Sequence, residues 1–291
     1  MKINSLLSIA ALSIVALCGC SRDDGWTYLI DENLSQWRTY QSYELPSDCK
    51  GRRSIMLEDG SMPEPIGYDM NLKNTYSTVK EGKDILLKIA SGVYGCIFTK
   101  ESFSNYELVL ELRYGTDNWG PREGKPIDSG LLFHSIGECG VDYWASWMQS
   151  VEFQVLASGS PEGVTGDFWS VAGTKVDAKV TRNDELRRWM FDPENGEWRT
   201  VTSCFTKDYN NPTGEWDELR LITYDGKSLY FVNGNLAMAH KNATYVDENG
   251  EDHPLREGKI QLANEAGEIY YRNIRIRPID GIPTEYEKYF E

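Results

Sequence analysis

The chain has 291 residues, with 45 acidic side chains against 30 basic ones and a formal net charge of −15. That balance excludes recognition of nucleic acid through its phosphates, and also a surface that adheres to anionic lipid. Beyond solubility it fixes little else.

The chain opens with Lys2 and an apolar run over 6–17, interrupted only by small or hydroxyl residues. The run is too short for a membrane span and has the form of a signal-peptide core. It ends in Leu17-Cys18-Gly19-Cys20, which resembles the bacterial lipobox. Residues 1–19 therefore read as a lipoprotein signal peptide and Cys20 as the lipidated residue. Acyl chains contribute about 0.8 kcal/mol per buried CH₂, so several of them make a lasting membrane anchor. Residues 20–25 form the tether. Their acidic Ser21-Arg22-Asp23-Asp24-Gly25 stretch is either a solvated linker or a surface-export signal, so an outer-membrane lipoprotein facing the periplasm or the exterior is expected. The rest, 26–291, reads as one domain. Its cysteines Cys49, Cys96, Cys139 and Cys204 are widely spaced without a C-x-x-C pair, which argues against a zinc cluster. They are left as either bridges or buried thiols.

Strand signals follow in chain order. Residues 106–114 alternate, with Tyr106, Leu108, Leu110, Leu112 and Tyr114 on one face and Glu107, Glu111 and Arg113 on the other. Residues 129–135 and 150–156 are two further strands. Residues 182–190 read as one short helix. Residues 219–224 run into Asp225-Gly226, and 229–232 run into Asn233-Gly234, turn pairs that supply positive φ to tight hairpins. Residues 259–262 and 269–276 read as a paired hairpin. Many short strands, Gly-rich turns and abundant aromatics predict an all-β fold, a sandwich of two antiparallel sheets.

In 150–156, Val151, Phe153 and Val155 point to the core, so Glu152 and Gln154 share the opposite face. Tyr143-Trp144-Ala145-Ser146-Trp147 precedes this strand and Thr165-Gly166-Asp167-Phe168-Trp169 follows it. Aromatic faces flanking polar groups are how proteins hold sugars, because the ring stacks on C–H bonds while hydroxyls are hydrogen-bonded. Trp144, Trp147, Trp169, Gln154 and Glu265 are the candidate sugar contacts. His134 alternates with Leu132 onto the Glu152 side and is a candidate proton shuttle. Arg272 is a candidate oxyanion partner. No two histidines have metal-ligand spacing.

Read in order, Asn33-Leu34-Ser35-Gln36-Trp37, Phe103-Ser104-Asn105-Tyr106, Asp128-Ser129-Gly130-Leu131-Leu132-Phe133, Glu152-Phe153-Gln154, Thr165-Gly166-Asp167, Val232-Asn233-Gly234 and Arg272-Asn273-Ile274 resemble the 3-keto-disaccharide hydrolase family over 25–280. The resemblance implies a concanavalin A-like jelly roll and cleavage of 3-keto-glycosides. A C3 ketone acidifies C2–H; a base removes that proton, the enolate expels the C1 substituent, and water adds back. On that reading Glu152 or His134 is the base, Arg272 the oxyanion partner, and Asp167 or Glu265 the acid or a metal ligand. The family more often has Arg where His134 stands and Asp where Ala157 stands. The sequence establishes no cofactor; a divalent cation is compatible with the hard oxygens of Glu152, Asp167 and Glu265. The alternative is a non-catalytic carbohydrate-binding lipoprotein using the same aromatic face. A conventional glycosidase fits less well, since Gln154 stands where a second carboxylate beside Glu152 would be expected.

Overall fold

A computed structural model describes residues 25–141 and 143–291. Residues 1–24, where a signal peptide and a lipidated Cys20 are expected, lie outside the described residues. No helix among the described residues is long and apolar enough to cross a membrane.

Two antiparallel sheets stack face to face. The larger has twelve strands, with Asp217–Tyr224, Tyr106–Asn118 and Gly267–Pro278 at its centre. The smaller has eight, ordered Ser203–Cys204, Phe168–Val171, Gln149–Leu156, Asp128–Ile136, Lys259–Glu265, Val93–Thr99, Trp37–Glu44 and Gly67–Tyr68. The alternation read from 106–114 holds: Tyr106, Leu108, Leu110, Leu112 and Tyr114 all enter the core between the sheets. The Asp225-Gly226 and Asn233-Gly234 turns take positive φ at all four residues and close a three-strand meander.

Two elements differ from the sequence expectation. Residues 182–190 form no helix; Lys175–Asn183 and Arg188–Phe191 are paired strands joined by a turn. The expected 259–276 hairpin does not pair with itself. Lys259–Glu265 lies in the small sheet beside Val93–Thr99 and Asp128–Ile136, whereas Gly267–Pro278 lies in the large sheet. The chain crosses between sheets at Ala266, which adopts φ 67°. Strand periodicity reports only which face a residue takes, so it was blind to this change of sheet.

At the centre of the core Phe153 of the small sheet stacks on Tyr230 of the large one, with ring centroids 4.4 Å apart and planes 6° from parallel. The opposite face of the small sheet carries a second apolar cluster of Tyr40, Cys96, Phe98, Leu132, Trp147, Met148 and Ala263. Cys139, Trp147 and Met148 pack into that cluster, so this sheet is covered on both sides and Gln149–Leu156 is buried almost throughout.

His134 breaks the alternation. A register shift between Phe133 and Ile136, with φ 49° at His134, rotates its ring into the interior. There it is 1% exposed and meets Phe133 and Tyr106 edge-on. Desolvation pushes its pKa from 6.5 down to about 3, weakly opposed by the Leu255 backbone. His134 is therefore a neutral core residue and is withdrawn as a proton shuttle.

Two outcomes test this packing. Phe153→Ala should lower the unfolding free energy by about 3–5 kcal/mol in denaturant titrations, the range for an emptied aromatic site. Between pH 6.5 and 3 an unfolded His134 gains a proton that the folded one refuses, so its contribution is whole above about pH 6.5 and is lost on acidification. His134→Asn tolerates positive φ and does not titrate. Its Tm should fall less than that of the unsubstituted chain between pH 7 and 5.

Candidate active site

On the outer face of the small sheet a cleft of about 520 Å³ opens, within the usual range for small-molecule sites. Its floor is set by strand register. Glu152 lies opposite Leu132 on one side and Trp169 on the other, and Gln154 lies opposite Gly130. Asp128 and Glu265 enter from neighbouring strands by the same alternation. Trp147 forms one wall from the 137–148 segment, and Trp169 forms part of another.

Gly130 makes room for the Glu152 carboxylate. A Cβ at position 130 would sit 2.2 Å from Oε1 of Glu152. Gln154 directs its amide oxygen to the Val155 N–H at 2.9 Å, which leaves its amino group as the donor for a ligand. The Trp169 indole N–H is buried without a hydrogen-bond partner among the described residues. A buried donor left open in a cleft wall is a place for a ligand acceptor.

Arg122, on the short turn Gly120–Arg122, is the charge centre. Its guanidinium bonds Asp128 and reaches Glu162 at 2.9 Å. Burial would disfavour its charge, but Asp128, Glu265 and Glu162 outweigh that and raise its pKa. Desolvation pushes Asp128 up to about 7 despite Arg122, and Oδ1 of Asp128 has no hydrogen-bond partner among the described residues. Burial, reinforced by Asp128, pushes Glu265 well above the ordinary carboxylate range, with Arg122 opposing and Glu152 and Glu162 adding to the rise. Glu265 thus keeps its proton to higher pH than a solvated glutamate, which is the property of a general acid. Ionised or neutral, the carboxyl oxygens here are hard donors. Among the described residues, the acidic and histidine atoms close enough together to share an ion are instead those of Asp247, Glu251 and His253, none of which lines the cleft.

The structure thus brings together Glu152, Gln154, Glu265, Trp147 and Trp169 of the residues singled out from sequence. It places four others elsewhere. His134 is in the core. Trp144 is 1% exposed and stacks on Tyr94, ring centroids 4.9 Å apart. Asp167 is fully buried, where Oδ2 accepts the Val164 N–H and Oδ1 the Thr206 N–H, tying a surface loop to the sheet edge. Burial pushes its pKa up to about 7. Arg272 is on the outer face of the large sheet, on the far side of the sandwich, bonded to Glu111 at 2.7 Å and stacked on Trp216. The change of sheet at Ala266 is what separates it from Glu265.

Sequence reasoning missed Arg122, Asp128, Glu162 and Arg188, all of which line the cleft. For Asp128 a signal was present: counting by twos through Gly130 and Leu132 puts it on the Glu152 face. Arg122 comes from a turn between strands, and nothing local to Gly120-Pro121-Arg122 announces it.

Several solved structures resemble the chain. A Parabacteroides distasonis protein, provisionally assigned as a glycosyl hydrolase, is 16% identical, with 87% of this chain and 99% of that one covered at TM-score 0.46. A Bacillus subtilis protein of unknown function with a galectin-like fold is 10% identical, covering 87% and 94% at TM-score 0.46. A carbohydrate-binding module from Bacillus subtilis is 11% identical, covering 70% and 95% at TM-score 0.37. No curated protein matches the sequence. The sequence model of the 3-keto-alpha-glucoside-1,2-lyase-like domain matches residues 25–277, and the chain belongs to that family.

Proposed function

We propose that the chain is an exported, lipid-anchored enzyme that cleaves 3-keto-glycosides by removing the C2 proton and expelling the C1 substituent. The observation that carries this reading is the pairing, in one cleft of a member of this family, of Glu152 held over Gly130 with the proton-retaining Glu265.

The sugar ring stacks between Trp147 and Trp169. Glu152 takes the proton from C2, whose electrons pass into the C3 carbonyl and leave an enolate. The Gln154 amino group and the open Trp169 N–H supply neutral donors for the oxygen that gains charge. As the C1–O bond breaks, Glu265 protonates the departing oxygen, and the product is the enone. Water added at C1 completes hydrolysis. Arg122 holds Asp128 beneath the cleft and limits the charge that builds up when Glu265 gives up its proton. Glu162 and Arg188 line the cleft beside these groups and are open to contact with the aglycone. The oxyanion role assigned from sequence to Arg272 passes to these nearer donors.

A carbohydrate-binding protein would use the same tryptophans without turnover. Incubation with a 3-keto-glucoside and, separately, with its unoxidised parent separates the two. Loss of the keto sugar alone is expected; binding of the keto sugar without its loss would sink the enzymatic reading. Cleavage of the parent as well would instead mark a conventional glycosidase.

Two substitutions locate the base. Glu152→Gln should lower turnover by about 10²–10⁴-fold, the usual worth of a positioned general base, with Tm little changed. Gly130→Ala drives a methyl into the position of the Glu152 carboxylate, which is the mobile end of its side chain. It should cut turnover about tenfold or more, since small misplacements of reacting groups are costly, while the chain still folds. Full activity in Glu152→Gln would remove Glu152 from the chemistry.

A further inference from the structure

Four cysteines among the described residues are buried thiols. Two of them are neighbours. Sγ of Cys96, on Val93–Thr99, lies 3.8 Å from Sγ of Cys139, in the segment that follows Asp128–Ile136. The Cys49 thiol instead donates to the Gly51 carbonyl, and Cys204 is a free buried thiol.

We propose that Cys96 and Cys139 form a disulfide that clamps the 137–148 segment onto the small sheet and so fixes the Trp147 wall of the cleft. The inference stands on geometry and is independent of the reaction proposed above. Closing from 3.8 Å to a bond of about 2.05 Å needs side-chain rotation and a small shift of the chain. The mobile partner is Cys139, because it sits in a connection and not within a ladder.

The surroundings favour a clamp at this point. The segment is already drawn onto the sheet beside Cys139, where the Cys139 N–H donates to the Tyr68 hydroxyl at 2.7 Å and that hydroxyl donates to Glu138 at 2.6 Å. Its far end returns through Ser146, whose hydroxyl meets that of Ser42 at 2.8 Å, and through the Met148 N–H, which donates to Gln261. Trp147 follows directly from this anchorage. The link spans 43 positions, long enough for a cross-link to restrict the unfolded chain substantially.

The sulfurs differ in access. Cys96 is fully buried and Cys139 is 9% exposed. Burial also pushes the Cys96 thiol well up. Cys139 is therefore the sulfur that meets an oxidant of the disulfide class. Its thiolate attacks that disulfide, forms a mixed disulfide and releases one thiolate. Cys96 then loses its proton and attacks Sγ of Cys139, expelling the second thiolate. The protein gives up two electrons and two protons, and the oxidant becomes two thiols.

The purified full chain carrying Cys18→Ser and Cys20→Ser, equilibrated with oxidised glutathione and then alkylated in denaturant, provides the test. The expected result is two fewer alkylated cysteines than in the reduced sample, with one cross-linked peptide joining the Cys96 and Cys139 segments. Cys49→Ser and Cys204→Ser should leave that cross-link in place. The oxidised protein should melt roughly 5–10 °C above the reduced one, and limited proteolysis within 137–148 should slow. Both differences should vanish in Cys139→Ala. If that variant folds poorly, the comparison of oxidised with reduced protein lacking that substitution still decides. Unchanged alkylation after oxidation, or a cross-link through Cys49 or Cys204, would overturn the proposal.

Discussion

The cleft depends on one guanidinium. Asp128, Glu152, Glu162 and Glu265 line a single hollow, and three of them are nine-tenths buried or more. Carboxylates in such surroundings repel one another and lack water to disperse their charge. Arg122 supplies the only buried countercharge there among the described residues, and the remainder is relieved by proton retention at Glu265 and Asp128. Proton retention there follows first from burial, and the neighbouring carboxyl groups add to it.

The amide of Gln154 stands beside Glu152 where a glycosidase would carry a second carboxylate, but folding brings further carboxyl groups, Asp128 and Glu265, to the same cleft from other strands. Family membership and the pairing of Glu152 with neutral donors are what favour proton abstraction next to a ketone. A neutral indole N–H and an amide suit an enolate oxygen, whose charge appears only during reaction.

What was legible in the sequence follows from what period-two alternation can and cannot encode. It placed Val151 and Phe153 inward and Glu152 and Gln154 outward, and it found the meander through Asp225-Gly226 and Asn233-Gly234. It failed wherever a single residue changes the phase or the sheet. The bulge at His134 turns a ring expected in the cleft into the core. The crossing at Ala266 sends Arg272 to the far surface. Trp144 and Asp167 fail for a different reason: both occupy loops, where no periodicity fixes direction, and burial claimed them for stacking and for satisfying backbone N–H groups. Arg122 could not be found from its own neighbourhood, because its partners are brought to it by the fold.

The cleft's floor and walls are built from different materials. Glu152, Gln154, Asp128 and Glu265 sit on paired strands whose register fixes them against one another. Trp147, Glu162 and Arg122 come from connections between strands. Outside Arg122 and Trp147, those connections can lengthen, shorten or change composition without moving the groups that the paired strands hold. Change at the rim is thereby uncoupled from the order of the floor, and one scaffold can seed many niches.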